Sequence, residues 1–130
     1  MKGQYSDYRL FSPVLVDGKE NYITHIPNWE EGRDYYLVSG DTFCHPIDDL
    51  LPIPLDKDFY KRHSDLFRNV NGVFECSANS HVVSVDDSSF CCIDGEEYGY
   101  VYRHELINIL SDVLACHILL PDIGHRVIAE

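Results

Sequence analysis

Histidine and cysteine are the residues whose chemistry matters first here, since the chain has seven histidines and five cysteines among 130 residues. Structural zinc sites use pairs such as Cys-x2-Cys or His-x3-His, because two side chains must converge on one ion. The close pairs in this chain are adjacent instead, at Cys44-His45 and Cys116-His117, and adjacent side chains diverge. His104-Glu105 begins a zinc-protease pattern, but Asn108 occupies the place of its second histidine. We therefore expect no bound metal and no cofactor.

Nucleophilic catalysis needs a cysteine or serine beside a base. Cys44, Cys91 or Cys92 could be combined with any of several histidines, so such a dyad is not a specific signal. The chain contains no nucleophile elbow, glycine-rich phosphate loop or nucleotide fingerprint. We therefore predict that the protein is not an enzyme, and we keep a small hydrolase or metal-binding protein that uses His and Cys residues as an alternative. The odd cysteine count without regular spacing is typical of reduced thiols.

Carboxylates dominate the charge, since 22 Asp and Glu residues stand against 10 Lys and Arg, which gives a net charge of -12. This charge disfavours direct binding to nucleic acid or to an anionic membrane, because both depend on Lys and Arg. No apolar run is long enough to span a bilayer. The N-terminal residues Met1 to Asp7 lack the apolar core of a secretory signal, so we expect a cytoplasmic protein.

The acidic surplus is concentrated in two spans without Lys or Arg, from Asp34 to Asp56 and from Glu75 to Glu97. Carboxylates gathered on turns at one end of a sheet, beside aromatic side chains, would form a focused negative surface with anchors for a basic protein. The predicted partner-binding residues are Trp29, Asp48, Asp49, Asp86, Asp87, Asp94, Glu96, Glu97, Tyr98 and Tyr100. The alternative is that the acids serve solubility and that the tyrosines line a core.

Hydrophobic patterning predicts an α+β fold in which most elements are strands. The runs that favour strands are Tyr8–Phe11, Val14–Val16, Tyr22–Ile26, Tyr35–Val38, Val73–Cys76, His81–Val85 and Phe90–Ile93. Asp17-Gly18 between two of these runs is typical of a hairpin turn. Asp41 to Asp58 contains three prolines and is predicted to be a long ordered loop. Tyr98 to Tyr102 is either a last strand or the approach to a helix.

Two segments show helical spacing of apolar residues. Lys57 to Arg68 is predicted to be a short inserted helix, and Arg103 to Leu119 a long C-terminal helix with one apolar face. In the tail, Val127-Ile128 could dock as an edge strand. We therefore predict a single domain over residues 1–130, with one antiparallel sheet of about five to six strands packed against the long C-terminal helix.

A small, acidic, aromatic-rich chain without a catalytic motif is typical of protein inhibitors of basic enzymes. In bacteria this description fits immunity proteins, which neutralise nuclease toxins. We expect one-to-one binding to a basic toxin domain, in which the carboxylates pair with the Lys and Arg that would hold substrate phosphates. The nearest alternative is a phage anti-defence protein that mimics nucleic acid and blocks a restriction or CRISPR nuclease.

Overall fold

The computed structural model describes residues 5–25, 35–38, 44–46, 49–119 and 124–127. In the first half of the chain the strands and the helix are β1 Pro13–Val16, β2 Lys19–His25, β3 Tyr35–Val38, β4 Cys44–Pro46, β5 Leu51–Pro52 and α1 Lys57–Arg62. In the second half they are β6 Arg68–Val70, β7 Val73–Ala78, β8 His81–Val85, β9 Phe90–Ile93, β10 Glu96–Tyr100, α2 Arg103–Leu114, β11 Cys116–Leu119 and β12 Gly124–Val127.

The strands form antiparallel sheets, and this confirms the α+β class with two helices. The first sheet has the order β4-β3-β2-β1-β5, the second has the order β10-β9-β8-β7-β6, and β11 pairs with β12. The prediction of a single sheet was therefore wrong. β4 and β5 lie in the segment predicted to be a loop, and at three and two residues each they are too short to show a period of two.

The Asp17-Gly18 hairpin is present, and it joins β1 to β2. Both turn residues have positive φ, 51° at Asp17 and 76° at Gly18, as a type I′ turn requires. Tyr8 to Phe11, which we predicted to be a strand, belongs to a turn instead. The N–H of Ser12 donates to the carbonyl of Arg9 there, and Phe11 has a φ of 73°.

Both helices are shorter than their apolar spacing predicts. The carboxylate of Asp56 accepts the Phe59 N–H at 2.9 Å and begins α1, which ends at Arg62 rather than Arg68. α2 ends at Leu114 because Ala115 adopts the left-handed conformation with a φ of 53°. The next four residues form β11, so the long helix to Leu119 was wrong. In the described part of the chain, neither helix has the length and hydrophobicity that crossing a membrane requires.

The larger hydrophobic cluster lies between the two helices and the inner face of the second sheet. Its fully buried members include Phe59, Val83, Val85, Cys91, Leu106, Ile109, Leu110 and Leu114. A smaller cluster belongs to the first sheet and its flank, with Val14, Val16, Ile23 and Leu50. The apolar stripe predicted on the C-terminal helix is thus the face that covers the second sheet.

The buried polar residues of α2 hold the N-terminal segment in place. The Asn108 amide donates to the carbonyls of Tyr5 at 3.0 Å and Asp7 at 2.8 Å. Arg9 makes a bidentate ion pair with Asp112, with both distances at 2.8 Å. The segment before β1 is therefore fixed by side chains one to three turns along α2.

Candidate functional site

The second sheet separates the predicted acids of the second base-free span into two groups. Asp86 and Asp87 precede β9, whereas Asp94 follows it. Since β8 and β10 both pair with β9 antiparallel, the two turns lie at opposite ends of the sheet. We had expected these carboxylates to lie together at one end of the sheet, but the structure places them at both ends.

Asp86 organises the turn between β8 and β9. Its Oδ1 accepts hydrogen bonds from the Ser88 N–H at 2.9 Å, the Ser88 hydroxyl at 2.7 Å and the Phe90 N–H at 3.0 Å. The Ser88 hydroxyl, followed by these N–H groups, lowers the pKa of Asp86 against the opposing effect of burial. Its charge is thus fixed in place, while the neighbouring Asp87 is exposed.

Asp94 has a similar role at the other end of the sheet. Its carboxylate lies 2.7 Å from Nδ1 of His81 and accepts the Val82 N–H at 2.8 Å. The hydrogen bond with His81 is the main reason that the pKa of Asp94 is lowered. Nothing in the spacing of residues 81 and 94 predicts this pair, since strand pairing alone brings them together.

β10 carries two predicted carboxylates and two predicted tyrosines, and the structure assigns them different environments. Glu96 and Glu97 are exposed, and within the described residues they form no ion pair. Tyr98 is only 7% exposed and packs in the larger core, so it is not the exposed anchor that we predicted. A bulge between Glu97 and Gly99 shifts the register.

Tyr100 is 64% exposed, and its ring makes an edge contact with Phe90 at a centroid distance of 5.1 Å. We refer to Glu96, Glu97 and Tyr100 as the acidic strip.

Three predicted residues lie away from this strip or outside the described structure. Asp49 is exposed and precedes β5 of the first sheet. Trp29 and Asp48 lie outside the described residues.

A cavity of about 570 Å³ lies between α1 and the turns of the second sheet. Its aromatic lining includes Tyr60, Phe67 and Phe74, and the rings of Tyr60 and Phe74 stack at 3.9 Å with an angle of 3°. Asp86 and Asp87 also line it. We call it the aromatic cavity, and sequence reasoning did not find it.

A second cavity, of about 400 Å³, is lined entirely by charged side chains and is called the charged cavity. Its lining is Glu20, Asp56, Asp58, Lys61, Arg62 and Arg103. The side chain of Arg103 is only 3% exposed and donates to Glu20 at 3.1 Å and to Asp56 at 3.5 Å. The adjacent basic residues Lys61 and Arg62 are visible in the sequence, but Arg103 and Glu20 join them only through the tertiary fold.

Among the described residues, no group of three or more His, Cys, Asp or Glu is placed to hold a metal ion. Comparisons of the chain with protein-family models, curated proteins and solved structures found no match. The candidate functional features of the described structure are therefore the acidic strip and the two cavities.

Proposed function

We propose that the protein is an acidic inhibitor of the immunity-protein class, which binds one basic toxin domain and occludes its nuclease active site. The observation that supports this proposal is the acidic strip. It places a tyrosine that is 64% exposed on the same strand as two exposed carboxylates without a cationic partner in the described structure. The complex would form in the cytoplasm, where an immunity protein protects its own cell.

Tyr100 has the properties of a central anchor. Its ring packs against Phe90 while the residue stays 64% exposed, so a partner could bury a large apolar area at little cost in side-chain entropy. Among the described strands β10 lies at the edge of its sheet, so a partner can approach Tyr100 without displacing another of these strands.

Glu96 and Glu97 have the properties of steering charges. Exposed carboxylates at the rim of an interface mainly increase the association rate toward a basic surface, and salt screens this effect. A nuclease active site, rich in Lys and Arg, is the complementary surface.

Affinity capture from the native cell followed by mass spectrometry identifies the partner, which we expect to be a basic toxin domain. The identified partner is then purified for kinetic measurements. Stopped-flow association at low salt should show that Glu97→Gln slows binding several-fold. Asp17→Asn is the matched control, because it also removes one carboxylate but lies in the β1–β2 turn, where Asn tolerates positive φ. Tyr100→Ala should instead increase the dissociation rate by about tenfold or more.

Titration of the toxin's nuclease activity completes the test. The proposal requires full inhibition at one equivalent of the wild-type protein. It fails if the captured partner is acidic, if nuclease activity persists at saturation, or if Glu97→Gln and Asp17→Asn have the same association rate.

A further inference from the structure

The aromatic cavity and the charged cavity adjoin, because both are lined by Asp56 and Lys61. One compartment offers aromatic surface from Tyr60, Phe67 and Phe74. The other is lined by three carboxylates and three cationic side chains. A ligand that occupied both would need an apolar part and a head group that carries charges of both signs.

The head-group compartment holds a guanidinium and a carboxylate at a fixed separation. Nη2 of Arg103 lies 3.5 Å from Oδ2 of Asp56. Asp56 is held by the hydrogen bond that its Oδ1 accepts from the Phe59 N–H. Arg103 is held by burial, by Glu20 and by the Phe59 ring, whose centroid is 5.8 Å from the guanidinium carbon. Little ordering would therefore be needed on binding.

Of the buried polar atoms that lack a hydrogen-bond partner among the described residues, two belong to side chains that line this pair of cavities. They are Nε of Arg103, a residue that is 2% exposed, and the hydroxyl of Tyr60, which is 8% exposed. Arg103 lines the charged cavity and Tyr60 the aromatic one. Leaving such atoms unsatisfied is costly, and each calls for an explanation such as a bound water, an ion or a functional role.

We propose that the joined cavities bind an α-amino acid with an apolar side chain. The carboxylate of the ligand pairs with Arg103 and Lys61, its ammonium group pairs with Asp56, and its side chain packs in the aromatic cavity. In an α-amino acid the two charged groups are attached to one carbon, so they match the adjacent guanidinium and carboxylate. The volume of about 570 Å³ is within the usual range of small-molecule sites.

The charge balance of the charged cavity favours an α-amino acid as the ligand over a simple anion or a simple cation. With three charges of each sign in the lining, a zwitterion pairs with both sets, whereas an ion of one sign pairs with one set and is repelled by the other. A simple anion is also repelled by a protein with a net charge of -12. The site is separate from the acidic strip, so this inference does not depend on the inhibitor proposal.

Isothermal titration calorimetry of the purified full chain with L-phenylalanine tests the assignment. Saturable one-to-one binding is expected. The analogues 3-phenylpropanoate, which lacks the ammonium group, phenethylamine, which lacks the carboxylate, and glycine, which lacks the side chain, should each bind about tenfold or more weakly. Equal binding of the analogues, or no saturable heat with L-phenylalanine at millimolar concentration, would overturn it.

Three variants locate the binding. Ser64→Trp fills the aromatic cavity from an exposed position and should abolish binding, whereas Ser77→Trp, also exposed but outside the cavity lining, should leave it unchanged. Arg103→Gln should weaken binding about tenfold or more, with circular dichroism to establish that it folds. If Arg103→Gln does not fold, the Ser64 and Ser77 variants still show whether the ligand binds in the aromatic cavity. Binding that survives Ser64→Trp contradicts the proposal.

Discussion

At the scale of single residues, the acids that we predicted to bind a partner have two different roles. Asp86 accepts hydrogen bonds within its own turn, and Asp94, although exposed, accepts one from the neighbouring strand β8, whereas Asp87, Glu96 and Glu97 are exposed without such bonds among the described residues. Asp86, Asp87 and Asp94 all lie in turns, where Asp is a favoured residue. Sequence alone could therefore find the acidic span but could not separate the turn-forming acids from those that face solvent.

The contact between His81 and Asp94 predicts a stability that depends on pH. A carboxylate whose pKa is lowered by folding contributes stability that is present above its unfolded pKa, about 3.9, and is lost as the pH falls through the lower folded value. We expect Asp94→Asn to lower the melting temperature at pH 7, and the difference from the wild type to shrink as the pH falls below about 4.

Thermal unfolding of both proteins at neutral and acidic pH measures this effect. Asp87→Asn is the control, since Asp87 is exposed in the turn at the other end of β9 and should change the melting temperature little. An Asp94→Asn effect that is equally large at both pH values would show that the carboxylate's charge is not the cause.

At the scale of secondary-structure elements, the hairpin β1–β2 and the central strands β7, β8 and β9 were predictable because they combine β-rich runs with turn residues. The short pairings at β4, β5 and β6 were not, since two or three residues carry no periodicity. The end of α2 was missed for a different reason. Its left-handed terminal residue is Ala115, where a glycine would have signalled the stop.

That terminus gives a prediction. A left-handed conformation costs a residue with a β-carbon about 1 kcal/mol relative to glycine, so Ala115→Gly should stabilise the protein by up to that amount. Urea unfolding measures the change. Ala78→Gly, at the end of β7, should lower stability by about 0.5 to 1 kcal/mol or more instead, because glycine in a strand has an entropic cost and the Ala78 methyl packs against the larger core. A loss of stability in both variants would contradict this account of the helix end.

At the scale of the whole molecule, the features that sequence reasoning did not find are those assembled over long separations. Arg103 contacts Glu20 across 83 residues, and Asn108 contacts Tyr5 across 103. The sequence around each of these residues is that of an ordinary polar position in a helix, a strand or a terminal segment. Their placement depends on how α2 packs between the second sheet and the N-terminal segment, which local propensity does not determine.

We therefore expect the Asn108 side chain to stabilise the packing of the N-terminal segment against α2. It is 3% exposed, and its amide donates to two carbonyls of that segment. We expect Asn108→Ala to lower the free energy of unfolding by about 2 kcal/mol, because two buried hydrogen bonds are lost together. Amide exchange should accelerate in residues 5–9, while the central amides of α2 keep their protection.

Asn69→Ala is the matched control. The Asn69 side-chain oxygen accepts the Gly72 N–H at an exposed site, so its loss should change stability by no more than about 0.5 kcal/mol. Urea unfolding with hydrogen exchange separates the two cases. If Asn108→Ala exchanges faster throughout α2, the asparagine supports the helix itself. If faster exchange is confined to residues 5–9, Asn108 instead stabilises the contact between α2 and the segment that precedes the first sheet.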